Sequence, residues 1–165
     1  MATLHSRIVL VVGAAACIAV ASAPVAASAH DAGHYDDTLI RASFQPSLPT
    51  DAAIFGVKAG GAPWVLARGE VRVREDGRTD VRLRGLQIPR ADGSRDNPVA
   101  AITASLYCGG ALAARTTAQP MSVPGGDARF RVWLTVPETC AMATVLINPA
   151  ANPAVYIASA MATQD

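Results

Sequence analysis

Residues 69–84 read GEVRVREDGRTDVRLR, and this stretch decides the fold. Apolar residues alternate with charged ones on both sides of an Asp-Gly pair, which is the pattern of two half-buried strands joined by a tight turn. The residues predicted to face the core are Val71, Val73, Val81 and Leu83. The stretch therefore predicts an antiparallel hairpin with one face on the core and the other in water.

The register of this hairpin follows from parity. Opposite residues share a face, and all four apolar residues have odd numbers, so paired positions must sum to an even number. A two-residue Asp-Gly turn gives an odd sum. A three-residue loop, 75–77, gives an even one, with Gly77 left-handed in a G1 bulge. The predicted pairs are Val71 with Val81, Arg72 with Asp80, and Glu70 with Arg82.

The chain beyond the hairpin contains further short apolar or alternating runs separated by Gly, Pro, Asp and Asn. No window of ten or more residues combines helical spacing with freedom from Pro and Gly. The predicted strands are 53–58, 64–74, 79–88, 99–107, 111–117, 128–136, 143–147 and 154–160, with another around 39–44. Seven to eight strands at this spacing predict an all-β fold, an antiparallel β-sandwich.

The first 29 residues have the layout of a secretory signal peptide. An apolar stretch without charge is followed by Ala27-Ser28-Ala29, so cleavage is expected before His30. The alternatives are an uncleaved anchor, which needs a longer apolar run, and a lipoprotein cysteine at Cys17. The predicted organisation is a signal peptide (1–29), a polar lead-in (30–51) and one domain (52–165). The expected location is secreted or cell-envelope, with no membrane span in the mature protein.

The mature chain is close to neutral. From His30 onward it has 12 arginines, one lysine and 13 carboxylates. This balance argues against a general nucleic-acid or anionic-membrane binder, because those affinities depend on excess positive charge. The expected partner is an unidentified cell-envelope or extracellular ligand, not a nucleic acid.

Cys108 and Cys140 are the two cysteines of the mature chain. In an oxidising compartment they predict one disulfide. The alternative is a redox pair or a metal thiolate site, but no Cys-x-x-Cys spacing or nearby histidine supports it. No cofactor is predicted.

His30 and His34 are the candidate metal ligands. An amino-terminal histidine can offer its amine and a ring nitrogen to Cu(II), and a second histidine can complete a tetragonal site. The alternative is a polar N-terminal segment without a metal. A serine-histidine-aspartate site would depend on these same two histidines, and the acids cluster in turns, so no enzymatic activity is predicted.

The arginine-rich region is the other candidate site. Its members are Arg68, Arg72, Arg74, Arg78, Arg82, Arg84, Arg90 and Arg95. On the outer face of a sheet, Arg72, Arg82 and Arg84 could hold a polyanion or acidic glycan bidentately. The alternative is a solvated ladder of charges, because Glu70, Glu75, Asp76, Asp80 and Asp92 interleave with the arginines. Trp64 and Trp133 are interpreted as core residues, with a sugar platform as the alternative.

The hairpin 67–86 resembles the opening hairpin of chordin-type repeat (CHRD) domains, which are extracytoplasmic β-sandwiches. Residues 145–153, VLINPAANP, are similar to a late segment of that family. The family's mid-domain His-x-His element is replaced here by Ala101-Ile102-Thr103-Ala104. The resemblance therefore implies an Ig-like or CHRD-like sandwich outside the cytoplasm and transfers no site. The leading interpretation is a non-enzymatic binding or structural module.

Overall fold

The computed structural model describes residues 37–162, which fall within one compact unit. These residues form strands and turns without a helix. The strands are β1 (Thr38–Ser43), β2 (Gln45–Pro46), β3 (Lys58–Ala59), β4 (Arg68–Arg74), β5 (Arg78–Arg84), β6 (Ile88–Pro89), β7 (Arg95–Asp96), β8 (Ala101–Cys108), β9 (Ala111–Arg115), β10 (Gln119–Pro120), β11 (Ala128–Trp133), β12 (Thr144–Pro149), β13 (Val155–Tyr156) and β14 (Ala158–Met161).

Two antiparallel sheets account for the longer strands. Sheet A has the order β1-β4-β5-β11. Sheet B has the order β10-β8-β12-β14-β2, and β9 also pairs with β8. Short ribbons, the parallel pair β13-β3 and the antiparallel pair β6-β7, complete the domain. The all-β, sandwich-like prediction is confirmed.

The core consists of the apolar faces of the two sheets. Sheet A contributes the alternate residues of its hairpin, and sheet B contributes those of β8 and β12. The central members are Val71, Val73, Val81, Leu83, Ile102, Leu106, Val145 and Ile147, all at most 2% exposed. Burying one such side chain stabilises the fold by roughly 1.5–3 kcal/mol, so this alternation is the main reason that the strands form.

The hairpin has the predicted register. Val71 pairs with Val81, Arg72 with Asp80, and Glu70 with Arg82. Gly77 closes the loop at φ +86°, and its N–H donates to the carbonyl of Arg74 at 2.9 Å. The N–H of Leu134 donates to the carbonyl of Gly77, and a Cβ at Gly77 would collide with the carbonyl of Leu134. Both the backbone angle and the packing therefore require glycine here.

The outer face of sheet B is covered. Val57 and Tyr156 pack there against Tyr107 and Leu146 in a second apolar cluster. Between β8 and β12 of the same sheet, the buried hydroxyl of Ser105 donates to Asn148 Oδ1 at 2.7 Å. Residues 37–162 place no comparable apolar cover on the outer face of sheet A.

Two strand predictions need correction. Within the predicted strand 53–58, residues 54–57 form a turn closed by an isolated bridge, because Phe55 and Gly56 both have positive φ, and Lys58 begins β3. Residues 154–160 form two strands, β13 and β14, in different sheets. The strand predicted around 39–44 is present as β1, and β1 and β2 pair with β4 and β14 as edge strands of the sandwich.

The disulfide prediction is confirmed. Cys108 at the end of β8 bonds to Cys140 in the connection between β11 and β12. The bond therefore ties sheet B to the segment through which the chain leaves sheet A. It is compatible with a location outside the cytoplasm. Within the described part of the chain, no helix is long and apolar enough to cross a membrane.

Candidate functional site

The outer face of sheet A is built largely from arginine. Strict alternation turns the apolar residues of β4, β5 and β11 inward, so the residues between them point outward. We call this surface the arginine face. It carries Arg41, Arg68, Arg72, Arg74, Arg78, Arg82, Arg84, Arg129 and Arg131. Nine of the 12 arginines that follow His30 therefore lie on one side of one sheet.

Few carboxylates of residues 37–162 accompany these arginines. Within that part of the chain, Glu70 and Asp80 are the two on the arginine face, so its described residues carry a formal charge of +7. The other described residues hold four cations and eight carboxylates. Glu75 and Asp76 lie in the hairpin turn, and Asp92 lies in the β6-β7 turn. The near-neutral total therefore conceals a strong separation of charge.

Three pairs of arginines sit directly opposite each other on neighbouring strands. Arg41 pairs with Arg72, Arg68 with Arg84, and Arg82 with Arg129. Opposite residues of an antiparallel pair have Cβ atoms about 5 Å apart, and like charges in that position destabilise the sheet. The arrangement is the reverse of what selection for stability alone would favour.

Among the contacts between described residues, two ion pairs and one hydroxyl contact lie on the arginine face. Arg68 Nη2 lies 2.6 Å from Glu70 Oε1, and this hydrogen bond and charge lower the pKa of Glu70. Arg131 Nε lies 2.6 Å from Asp80 Oδ1. The Nε and Nη2 atoms of Arg72 donate to Thr38 Oγ1 at 3.0 and 2.8 Å. Both carboxylates are thereby paired with an arginine of the same face.

The arginine face is concave. A depression of about 570 Å³ lies over β1, β4 and β5 and is lined by five arginines, including Arg41, Arg72 and Arg82. A second depression, of about 390 Å³, is lined by Arg68, Arg84 and Arg129 among others. The two share Glu70 and Arg82. At 3.3 Å per residue, β4 gives the combined groove a length of roughly 20 Å.

The structure brings the predicted residues Arg72, Arg82 and Arg84 together on this face. Arg90 and Arg95 do not belong to the arginine face, because they lie in the β6-β7 ribbon. There Asp96 binds Arg90 with Oδ1 2.6 Å from Nη2 and raises the pKa of Arg90 through this hydrogen bond and its charge.

Sequence reasoning missed Arg41, Arg129 and Arg131. A signal for the last two exists, because Ala128–Trp133 alternates apolar and basic residues as the hairpin does. For Arg41 no comparable signal exists, since its place depends on β1 pairing with β4.

The two tryptophans have different environments. Trp64 is 4% exposed and belongs to the core, as predicted. The core prediction is wrong for Trp133, which is 64% exposed at the end of β11. Its register partner is Arg78, so its side chain lies on the arginine face.

The predicted metal ligands His30 and His34 lie outside the described residues. Within residues 37–162, no group of three His, Cys, Asp or Glu side chains is placed to hold a metal ion. The copper site therefore stays a prediction.

Comparisons with known proteins identify no relative: no protein-family model, curated protein or solved structure matches this chain. The resemblance to CHRD domains likewise stays a prediction.

Proposed function

We propose that this protein is an exported, non-enzymatic module that binds polyanions through the arginine face. The observation that carries the proposal is the set of three opposed arginine pairs, on a surface to which residues 37–162 contribute nine arginines and two carboxylates. Such pairs weaken the free protein and are relieved when an anion lies between them. They suit a surface selected to bind.

The choice of cation indicates the chemistry of the ligand. The arginine face contains no lysine, and a guanidinium offers planar, paired donors that fit carboxylate, sulfate or phosphate oxygens. A groove of roughly 20 Å with several arginines at each end suits an extended polymer better than a single small anion. The ligand class is therefore a linear polyanion.

The alternative, a solvated charge ladder, requires cations and carboxylates to alternate across strands. Three opposed pairs meet this requirement: Arg131 with Asp80, Arg72 with Asp80, and Arg82 with Glu70. The three opposed arginine pairs do not. Export remains part of the proposal, and the Cys108–Cys140 disulfide is compatible with it.

The test is retention on immobilised heparin, used as a general polyanion, with elution by a salt gradient. The face variant is Arg82→Ser/Arg84→Ser/Arg129→Ser, which removes three charges from the groove. The matched control is Lys58→Ser/Arg90→Ser/Arg95→Ser, which removes the same charge from exposed positions elsewhere. Circular dichroism and urea unfolding check that both variants fold.

We expect the wild type and the control to elute at similar salt concentrations and the face variant to elute much earlier, because the affinity for a polyanion falls with each lost contact. Equal losses in the two variants would show that net charge, and not this surface, governs binding. Failure of the wild type to bind at all would refute the proposal.

A further inference from the structure

Trp133 is an exposed aromatic residue at one end of the arginine face. The guanidinium Cζ of Arg78 lies 5.6 Å from the centroid of its ring. One cation can cover only one of the two faces of an indole, and 64% of Trp133 is exposed, so the opposite face is open to a ligand. An aromatic ring held in this way is a platform on which another ring can stack.

Arg74 and Arg78 flank the hairpin turn at the same end. The Nε atoms of both are shielded from solvent and find no hydrogen-bond partner among residues 37–162. Arg68 and Arg131, in contrast, are bonded to Glu70 and Asp80. A charged guanidinium whose Nε is shielded from water and left unpaired is unfavourable, and an anion bound to the same guanidinium offsets part of that cost.

The two features together define the ligand more narrowly than charge alone. Polyphosphate can satisfy the arginines but has no ring to place on Trp133. A single-stranded nucleic acid has such rings, but its binding sites offer successive aromatic residues for successive bases, and Trp133 is the one aromatic residue that the described part of the arginine face presents. An anionic sugar supplies both an apolar ring face and a carboxylate or sulfate.

We propose that the polyanion is an acidic polysaccharide, with one sugar ring stacked on Trp133 and an adjacent carboxylate or sulfate held by Arg74 and Arg78. The inference rests on the proposed function, because it places one subsite on the arginine face, next to the end of the groove that Arg74 lines. Arg82 and Arg129, toward the other end of that groove, hold further anionic groups of the same chain.

The experiment compares four probes with the wild type and two variants, Trp133→Ala and Trp133→Phe. The probes are a heparin oligosaccharide, an oligogalacturonate, inorganic polyphosphate and an oligothymidylate. Dissociation constants are measured at one salt concentration. The two sugars separate sulfate from carboxylate recognition. Trp133→Ala removes no charge and lies at an exposed position on an edge strand, so we expect it to leave the fold intact.

We expect Trp133→Ala to weaken binding of at least one of the two sugar probes about tenfold, Trp133→Phe to restore most of it, and polyphosphate binding to change less than twofold. Acrylamide quenching supplies a second readout. The chain has two tryptophans, Trp64 is buried, and the quenchable emission therefore belongs to Trp133. A bound sugar should shield that emission, and polyphosphate should not.

Three results would overturn the inference. If Trp133→Ala bound the sugar probes as tightly as the wild type, Trp133 would not be a stacking platform for the sugar. An equal loss for polyphosphate would show that Trp133 only orders Arg78. A loss confined to oligothymidylate would identify a nucleic-acid ligand instead. In each case charge-dependent binding by the wild type would still stand, whereas failure to bind any probe would refute the proposed function as well.

Discussion

Arg129 and Arg131 allow a direct test of the electrostatics of the arginine face. Both lie on β11, two residues apart and on the same side, but Arg129 is opposite Arg82 and Arg131 is opposite Asp80. Replacing Arg129 with Gln removes a repulsion. The same replacement at Arg131 removes an attraction and a hydrogen bond of 2.6 Å. The two variants should therefore shift stability in opposite directions.

The magnitude follows from the register. Two exposed guanidinium groups on directly opposed residues lie roughly 7 Å apart, which corresponds to about 0.6 kcal/mol of repulsion in water. Screening leaves about 0.4 kcal/mol at about 20 mM salt and about 0.1 kcal/mol at about 500 mM salt. Arg129→Gln should raise the free energy of unfolding by about 0.4 kcal/mol at low salt. Arg131→Gln should lower it by about 0.5 kcal/mol, the usual size of an exposed ion pair.

The assay is urea unfolding of the wild type and both variants at the two salt concentrations. All curves are fitted with the same dependence of the free energy of unfolding on urea concentration. The predicted gap between the variants is about 1 kcal/mol at low salt and closes markedly at high salt. The reasoning fails if Arg129→Gln destabilises the protein as much as Arg131→Gln, or if the gap does not respond to salt.

Three further predictions concern other parts of the fold. Gly77→Ala should lower the free energy of unfolding by more than about 2 kcal/mol, because it adds a collision to an unfavourable φ. Gly93→Ala, at φ +83° with open space around it, should lower the free energy of unfolding by about 1 kcal/mol. Urea unfolding measures both variants. The variant Cys108→Ser/Cys140→Ser should lose about 4 kcal/mol, since the bond closes a loop of 32 residues' separation, and a difference below about 1 kcal/mol in thermal and urea unfolding would contradict this. Glu70→Gln should tighten heparin binding at pH 7. In the wild type, heparin binding should tighten only as the pH falls below 4.5, the ordinary pKa of a glutamate, because the pKa of Glu70 is lowered. The stability that the ion pair of Glu70 contributes is present above pH 4.5 and is lost in the same acid range. Affinity and unfolding measured over a pH series test both expectations.

The hairpin was predictable in detail because its information is local. Strict alternation assigns the two faces, and the odd numbers of Val71 and Val81 exclude a two-residue turn. The same rule, applied to Ala128–Trp133, places Trp133 on the side of the arginines once Phe130 and Val132 face inward. The exposure of Trp133 was therefore readable from parity, although a tryptophan in a strand is usually buried.

The full arginine face was not predictable, because it depends on which strands become neighbours. Arg41 joins it through β1 beside β4, and Arg129 joins it through β11 beside β5, two pairings between distant segments. Net charge was equally uninformative, since it sums over all surfaces. The failure at residues 53–58 has a local cause. Their composition suits a strand, but Phe55 adopts a positive φ and stacks on Tyr107 at 5.3 Å between ring centroids.

Sheet A ends on both sides in strands that carry arginine, Arg41 on β1 and Arg129 with Arg131 on β11. Exposed strand edges tend to pair with the edges of other molecules, and charge on edge strands is one of the protections against such pairing. If the proposed function holds, a bound polyanion cancels that protection and can also reach a second molecule. Below saturation, a long acidic chain should therefore draw copies of the protein together, whereas an excess of short fragments should keep them apart.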